Sequence, residues 1–397
     1  MKFRRACIPI GFAWTSPFAR WQGPLAEISS LDLAVLITRR ALEGRDFGAE
    51  QLSQIILGWT VPQQGVFYGA PTVAARIGAP NISGPMISQA CATSAACVQA
   101  AASALEAEAE DVTLLVLADR MSNGPLIFYP TPSAQAGAPL IEHWVLDNFR
   151  RDPCTDKSML ETAENVAQEA GISREELDDL TLLRYEQYQR ALADDRAFQR
   201  RYMVPVVLES RRGDPTVIDT DVGVYPTTAE GLAKLKAVKP SGVITYGTQT
   251  YPADGAAGML LTTEERAREL SKGGGVVRLL SSGFSRVAKA TMPKAPVPAA
   301  HAALNDAGLR IKDVDAVTTH NPFAVNDIWF SRQTEYPLEK MNLYGCSLIY
   351  GHPQAPTGAR AIAELIETLR RRGGGVGLFT GCAAGDTGAA ILIRVQD

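Results

Sequence analysis

The sequence predicts an α/β protein made of two similar α-β-α halves, with a different segment inserted between them. Three observations carry this prediction. Apolar strand-like runs alternate with amphipathic helical stretches along most of the chain, which is the pattern of mixed sheets covered by helices on both faces. The order of these runs repeats: Ala41-Leu42 leads to Gln54-Ile55-Ile56-Leu57, and 262 positions on Ala303-Leu304 leads to Ala316-Val317-Thr318. Ser94-Ala95 heads an alanine-rich helix before the apolar run 113–118, and at an offset of 263 Thr357-Gly358 heads another before the run 375–380. Finally, the stretch 121–244 breaks the repeat and is richer in charge and proline.

Each element follows from its residues. The opening Met1-Lys2-Phe3-Arg4-Arg5-Ala6-Cys7-Ile8-Pro9-Ile10 is basic and then apolar, but Pro9 and Arg20 interrupt any signal-peptide core, so it reads as a first β-strand. Met86-Ile87-Ser88 predicts a strand, and the small residues after it predict a sharp turn into the helix headed by Ser94. Within the inserted segment, Thr162-Ala163-Glu164-Asn165-Val166-Ala167 opens one helix and 174–195 reads as a second. The runs Lys272-Gly273-Gly274-Gly275 and Arg372-Gly373-Gly374-Gly375 fit no nucleotide fingerprint and read as turns before strands.

Bulk properties set the class. The chain has 397 residues, 46% hydrophobic and 21% charged, with a net charge of −4, which is ordinary for a globular protein and gives no basic surface for nucleic acid. Six cysteines are too sparse for a disulfide framework, and none has zinc-ligand spacing, so no metal is expected. No run of about 20 apolar residues predicts a membrane span. Reactive cysteines favour a reducing compartment, and a cytoplasmic location is expected.

The chemistry-bearing residues lie in four glycine- and alanine-rich settings. Cys91 sits in Ser88-Gln89-Ala90-Cys91-Ala92-Thr93-Ser94, and His320 in His320-Asn321-Pro322-Phe323. His352 sits in Gly351-His352-Pro353-Gln354-Ala355-Pro356-Thr357-Gly358, and Cys382 in Gly381-Cys382-Ala383-Ala384-Gly385-Asp386. A cysteine at a helix N-terminus is expected to have a lowered pKa, because backbone N–H groups and the helix dipole stabilise its thiolate. A free cysteine is more often a small buried apolar residue, and Cys97 reads that way. His352, between glycine and proline, is held in a loop where it can take the Cys91 proton. Cys382 follows an apolar strand, 376–380, and enters a loop of small residues.

On these motifs the chain resembles the thiolases, from near residue 5 to the C-terminus, and Asp254-Gly255-Ala256-Ala257 and Pro296-Val297-Pro298-Ala299 fit the same pattern. The resemblance implies a five-layered α-β-α-β-α core with an inserted loop domain. The expected division is 1–120 with 245–272 as N-terminal domain, 121–244 as CoA-binding loop domain and 273–397 as C-terminal domain. It implies thiolytic cleavage of a 3-oxoacyl-CoA, or the reverse Claisen condensation. Cys91 would be the nucleophile, His352 its base and Cys382 the acid/base at the α-carbon, with coenzyme A as co-substrate and no permanently bound cofactor. The amides near Cys91 and Ala384 would form one oxyanion hole. By the same resemblance Met159, Thr250, Met292 and Phe323 would contact CoA.

This sequence also departs from the family pattern. His320-Asn321-Pro322-Phe323 stands where many thiolases have Asn-Glu-Ala-Phe, and is similar to a subgroup resembling sterol-carrier-type thiolases; His320 would polarise the thioester oxygen. Ala383, Ala384 and Asp386 replace most of a glycine run and put the loop geometry in question, since alanine resists positive φ. Ser158 replaces a usual histidine. Tyr251 and Pro252 replace small residues near the acyl pocket, which raises the expectation of a bulky, branched or aromatic acyl group, although Tyr251 could equally be packed scaffold. A homodimer or homotetramer is expected. A heteromeric enzyme of aromatic degradation, acting with a small zinc-ribbon/OB-fold subunit, is an alternative, as is a ketoacyl-synthase-like condensing enzyme.

Overall fold

The structure is a computed structural model that describes residues 1–133, 135–210 and 213–396. Its main sheet strands are β1 (Cys7–Pro9), β2 (Gln54–Gly58), β3 (Met86–Ile87), β4 (Val112–Arg120), β5 (Ala253–Thr262), β6 (Val276–Arg286), β7 (Ala316–His320), β8 (Gly375–Ala383) and β9 (Thr387–Gln396). They pair in the order β7-β8-β9-β6-β1-β5-β4-β2-β3. In the second half β7 runs parallel to β8, with β9 antiparallel to β8 and β6 antiparallel to β9. The first half repeats this: β2 is parallel to β4, β5 antiparallel to β4, and β1 antiparallel to β5. The duplication read from the sequence is therefore a duplication of topology.

Two features were not foreseen. Cys7 of β1 pairs with both Thr262 of β5 and Arg278 of β6, so one short strand joins the two halves edge to edge. The edge strand β3, parallel to β2, is matched beside β7 only by a single parallel bridge, Val317 with Met341, among the described residues.

Helices form three layers around the sheets. Between them lie α2 (Thr93–Glu106) and α7 (Ala355–Arg370), which pack on each other. Val98, Ala101 and Leu105 of α2 and Ile362, Leu365 and Leu369 of α7 share one core with Leu115, Leu117 and Met259 of one half and Ile391 and Ile393 of the other. Every residue of α7 from Ala355 to Leu369 is buried, as a helix sandwiched on all sides must be. On the outer faces, α1 (Ser30–Glu43) covers Ile55, Leu57, Leu114 and Val116, and α5 (Pro296–Ala307) covers Val317, Leu378 and Leu392. This is the five-layered α-β-α-β-α arrangement.

β4 and β5 read as nearly unbroken buried runs because both of their faces are covered. In the inserted segment, α3 (Met159–Ala170) and α4 (Arg174–Arg196) each begin with a capping box, Ser158/Glu161 and Ser173/Glu176. Regular helix in α4 stops before Ala193, where Ala193–Asp195 leave helical φ/ψ. The helix α6 (Ala324–Thr334) packs against both α3 and α4.

Candidate active site

The four reactive side chains come from strand ends and turns of both halves. Cys91 lies in the turn between β3 and α2. Ala90, just before it, has φ +46°, a left-handed conformation that costs an alanine about 1–2 kcal/mol. Thr93 holds that turn closed: its hydroxyl accepts from the Gln89 N–H at 2.8 Å and donates to the Ala90 carbonyl at 2.7 Å. His352 lies between Gly351 and α7, with its N–H on the Tyr251 carbonyl at 2.9 Å. His320 ends β7 and is register partner to Gly381 of β8. Cys382 is the next residue of β8, so it belongs to the strand; the expectation that it lies in the following loop is corrected, because β8 keeps pairing with β9 as far as Ala383.

These placements converge. His352 Nε2 is 3.1 Å from Cys91 Sγ, and His352 Nδ1 is 2.7 Å from the Thr357 hydroxyl. With Nδ1–H donating to Thr357, Nε2 presents a lone pair to the thiol. The His320 and His352 rings stack at 4.0 Å and 29°. His320 Nδ1 is 2.9 Å from Ser347 Oγ, while its buried Nε2 has no partner among the described residues. Cys91, His320 and His352 bring their ligand atoms within 4.8 Å of one another, a set that could hold a metal ion, though a cation there would occupy the nucleophile.

Below this cluster the Asp327 carboxylate accepts from Thr319 Oγ1 at 2.7 Å, Asn321 Nδ2 at 2.7 Å, Asn342 Nδ2 at 3.0 Å and Arg184 Nε at 2.9 Å. Asn321 in turn donates its N–H to Ser347 Oγ at 3.2 Å. The turn carrying His320 is thus tied through Asp327 to the inserted segment's Arg184. On the other side, Asp119 accepts from Thr60, Val61 and the Ala355 N–H that opens α7. Burial pushes Asp119 up to about 7 against these four donors.

Electrostatics overturn one expectation. Burial pushes the Cys91 thiol up to about 12, and the Ala384 and Cys91 amides that bond its sulfur only moderate this. The helix N-terminus does not win, because desolvation of a thiolate outweighs a few aligned N–H groups. Burial lowers His320 to about 3, and burial followed by the neighbouring His320 holds His352 well below its ordinary value. Cys382 is held well above the ordinary thiol range by burial and then by Cys91, with Asn326 opposing. At neutral pH the cluster is two thiols and two neutral imidazoles.

The other expected residues fall around it. Met292 and Phe323 are buried in the same apolar cluster as Cys382, with Met159 packed against its edge. Thr250 donates its hydroxyl to the Ser347 carbonyl at 2.5 Å, and its N–H to the Pro322 carbonyl at 2.7 Å. Tyr251 donates its hydroxyl to the Ile349 carbonyl at 3.2 Å and lies over Gly351, so it braces the His352 loop. In the loop after Cys382 the left-handed positions are Gly385 and Asp386, not Ala383 or Ala384, which removes the conflict raised by the alanines. The Asp386 carboxylate accepts the Ala290 and Thr291 N–H groups at 2.8 and 2.9 Å.

Sequence reasoning gave no role to Asn326, Ser347, Thr357 or Asp119. Asn326 could have been found from its position six residues after His320, on the first turn of the helix that His320-Asn321-Pro322-Phe323 introduces. Thr357 could have been found from its place five residues after His352, whereas Ser347 is recognisable only once its loop meets His320, and Asp119 only once the two halves are brought together.

Comparison with known proteins agrees with this geometry. The thiolase N-terminal domain matches residues 10–265 and the thiolase C-terminal domain residues 276–395. An acetyl-CoA acetyltransferase of Chromobacterium violaceum is 30% identical over 383 residues, spanning 94% of this chain and 95% of that protein. The crystal structure of the Bacillus anthracis acetyl-CoA acetyltransferase superposes with a TM-score of 0.90 at 26% identity, covering 99% of each chain. That of human mitochondrial 3-ketoacyl-CoA thiolase in complex with CoA gives 0.90 at 25% identity, covering 100% of this chain and 99% of that one. The chain belongs to the thiolase family.

Proposed function

We propose that this acyltransferase cleaves a 3-oxoacyl-CoA with free CoA, through an acyl group carried on Cys91. The observation that carries the reading is the Cys91–His352 pair at 3.1 Å, with Cys382 near enough for Cys91 to disfavour its thiolate. Cys91 Sγ attacks the 3-keto carbon while its proton passes to His352 Nε2. The N–H groups of Cys91 and Ala384, already directed at the sulfur, receive the negative charge that develops on the keto oxygen. The C2–C3 bond then breaks, its electron pair goes to C2, and Cys382 supplies the proton that converts this carbanion to the shortened acyl-CoA. The His352 proton passes back to the Cys382 thiolate. The neutral His352 then takes the proton of incoming CoA as the CoA sulfur accepts the acyl group, and gives it to the Cys91 thiolate. If Ser347 donates to His320 Nδ1, the unpartnered Nε2–H of His320 is free to hold the thioester oxygen.

Because Tyr251 is committed to the His352 loop, the reading carries no preference for an aromatic acyl group. The CoA contacts of Met159, Thr250, Met292 and Phe323 belong to the same proposal, supported by their grouping around Cys382. One second reading has an observation in its favour: Cys91, His320 and His352 form a Cys-His-His set suited to decarboxylative condensation, which needs no α-proton base.

The test follows the absorbance of the Mg²⁺–enolate of acetoacetyl-CoA, and of longer 3-oxoacyl-CoAs, on adding enzyme and CoA. CoA-dependent decay is expected, lost in Cys91→Ser and in Cys382→Ala. Retention of condensing activity toward a malonyl thioester in Cys382→Ala would favour the second reading. The absence of decay with every substrate would sink the first.

A further inference from the structure

Asn326 makes a contact that the proposed reaction has not used. It is 2% exposed, on the first turn of α6, and its Nδ2 donates to Cys382 Sγ at 3.2 Å. Its other end is occupied: Asn326 Oδ1 accepts the Phe323 N–H at 3.3 Å, closing the N-terminus of the helix. This settles which way the amide faces. A flipped amide would set an NH₂ against the Phe323 N–H and leave that donor unsatisfied, so the NH₂ must face the sulfur.

The placement matters because Cys382 is 1% exposed and Asn326 is the one side chain that bonds its sulfur among the described residues. The titratable groups facing Cys382 are Cys91 and Asp327, and both disfavour a thiolate there. When Cys382 gives its proton to the carbanion at C2, the S–H bond breaks, a C–H bond forms, and the electron pair stays on sulfur. A neutral N–H donor bonds that thiolate more strongly than the thiol, since charge-assisted hydrogen bonds are about twice as strong as neutral ones. The Cys382 amide adds a backbone donor, and Cys91 takes its own from the Ala384 and Cys91 amides.

We propose that Asn326 is a positioning residue for proton transfer at the α-carbon, holding the Cys382 thiolate while leaving acyl transfer at Cys91 to His352. The proposal rests on the thiolase reading above. It divides the site by step: the first turn of α6 serves carbon–carbon chemistry, and the first turns of α2 and α7 serve the thioester.

The division is measurable because the two steps can be run separately. Exchange of the acetyl-CoA methyl protons with D₂O reports Cys382. Transfer of the acetyl group from acetyl-CoA to isotopically labelled CoA reports Cys91, with His352 balancing the proton. Asn326→Ala is expected to slow deuterium incorporation about 10- to 100-fold, the value of one hydrogen bond to a charged group, and to change acetyl transfer less than about twofold. Its exchange rate should also rise only at higher pH than in wild type, since the thiolate has lost its donor. Asn326→Asp keeps the acceptor for the Phe323 N–H but faces the sulfur with a carboxylate, and should lose deuterium exchange more completely. Equal loss of both steps in both variants, or wild-type deuterium exchange in either, would overturn the proposal while wild-type activity leaves the thiolase reading standing. A wild-type protein that catalyses neither step would overturn both.

Discussion

The two thiols and two imidazoles of the active site are uncharged at rest, and this sets how they respond to pH. His320 illustrates the sign. Its folded value, near 3, lies below the ordinary 6.5 of an unfolded histidine, so the unfolded chain binds the proton first. The stability contributed by neutral His320 is full above pH 6.5 and is lost as pH falls from 6.5 toward 3. At pH 5 the loss is about 2 kcal/mol. Chemical denaturation of wild type and His320→Asn at pH 7.5 and pH 5 should show a smaller fall in stability for the variant, by about that amount. Equal falls would mean that His320 takes up its proton as readily in the folded protein as in the unfolded chain. The identities of the reactive residues were legible in the sequence, because each lies in a short motif of small residues that defines a turn. Their protonation was not. The expected low-pKa Cys91 failed because desolvation depends on α7, β8 and the inserted segment, none of which is local to Cys91.

At the scale of elements, the site depends on how closely the first turns of α2 and α7 approach. Ser94 of α2 accepts the Ala359 N–H at 2.8 Å and donates to the Ala355 carbonyl, so each turn completes the other's hydrogen bonding. Gly358 makes the approach possible: a Cβ there would lie 2.8 Å from Ser94 Cβ and 3.0 Å from Phe379 Cζ. Gly358→Ala should cost about 1–3 kcal/mol by overpacking, and should separate Cys91 from His352. The expected outcome is a lowered melting temperature together with a fall in the rate of Cys91 acylation; a variant with lowered stability and unchanged acylation would show that the pair does not depend on this contact. From the 263-residue offset between Ser94 and Thr357, the sequence placed the helix starts within one and two residues of Thr93 and Ala355. It could not show that the two turns touch, since equal order within two halves does not state how the halves face.

At the scale of the whole molecule, two buried ion pairs fasten the inserted segment to the second half. Arg184 meets Asp327 at 2.8 Å, and Arg360 of α7 meets Asp221 through two bonds of 2.6 and 2.8 Å. Asp221 also accepts the Phe18 N–H at 2.8 Å and the Tyr188 hydroxyl at 3.0 Å. Asp221→Asn leaves the Arg360 charge with Glu364 alone, and should cost about 3–5 kcal/mol. Replacing Arg360 and Asp221 together with apolar residues should cost less than Asp221→Asn, because no charge is then stranded. Thermal unfolding of the two variants checks the order. The partners in these pairs lie 143 and 139 residues apart in the chain, so nothing in either local sequence announces them.

The short strand β1 carries a consequence for how the protein is made. Among the described residues Cys7 pairs with Thr262 and with Arg278, which follows it by 271 residues. At about 5–20 residues per second, the wait for Arg278 is roughly 15–50 s. Through that interval an apolar segment must be kept from other partners, so synthesis of this chain opens a long window in which a nascent-chain chaperone has something to hold.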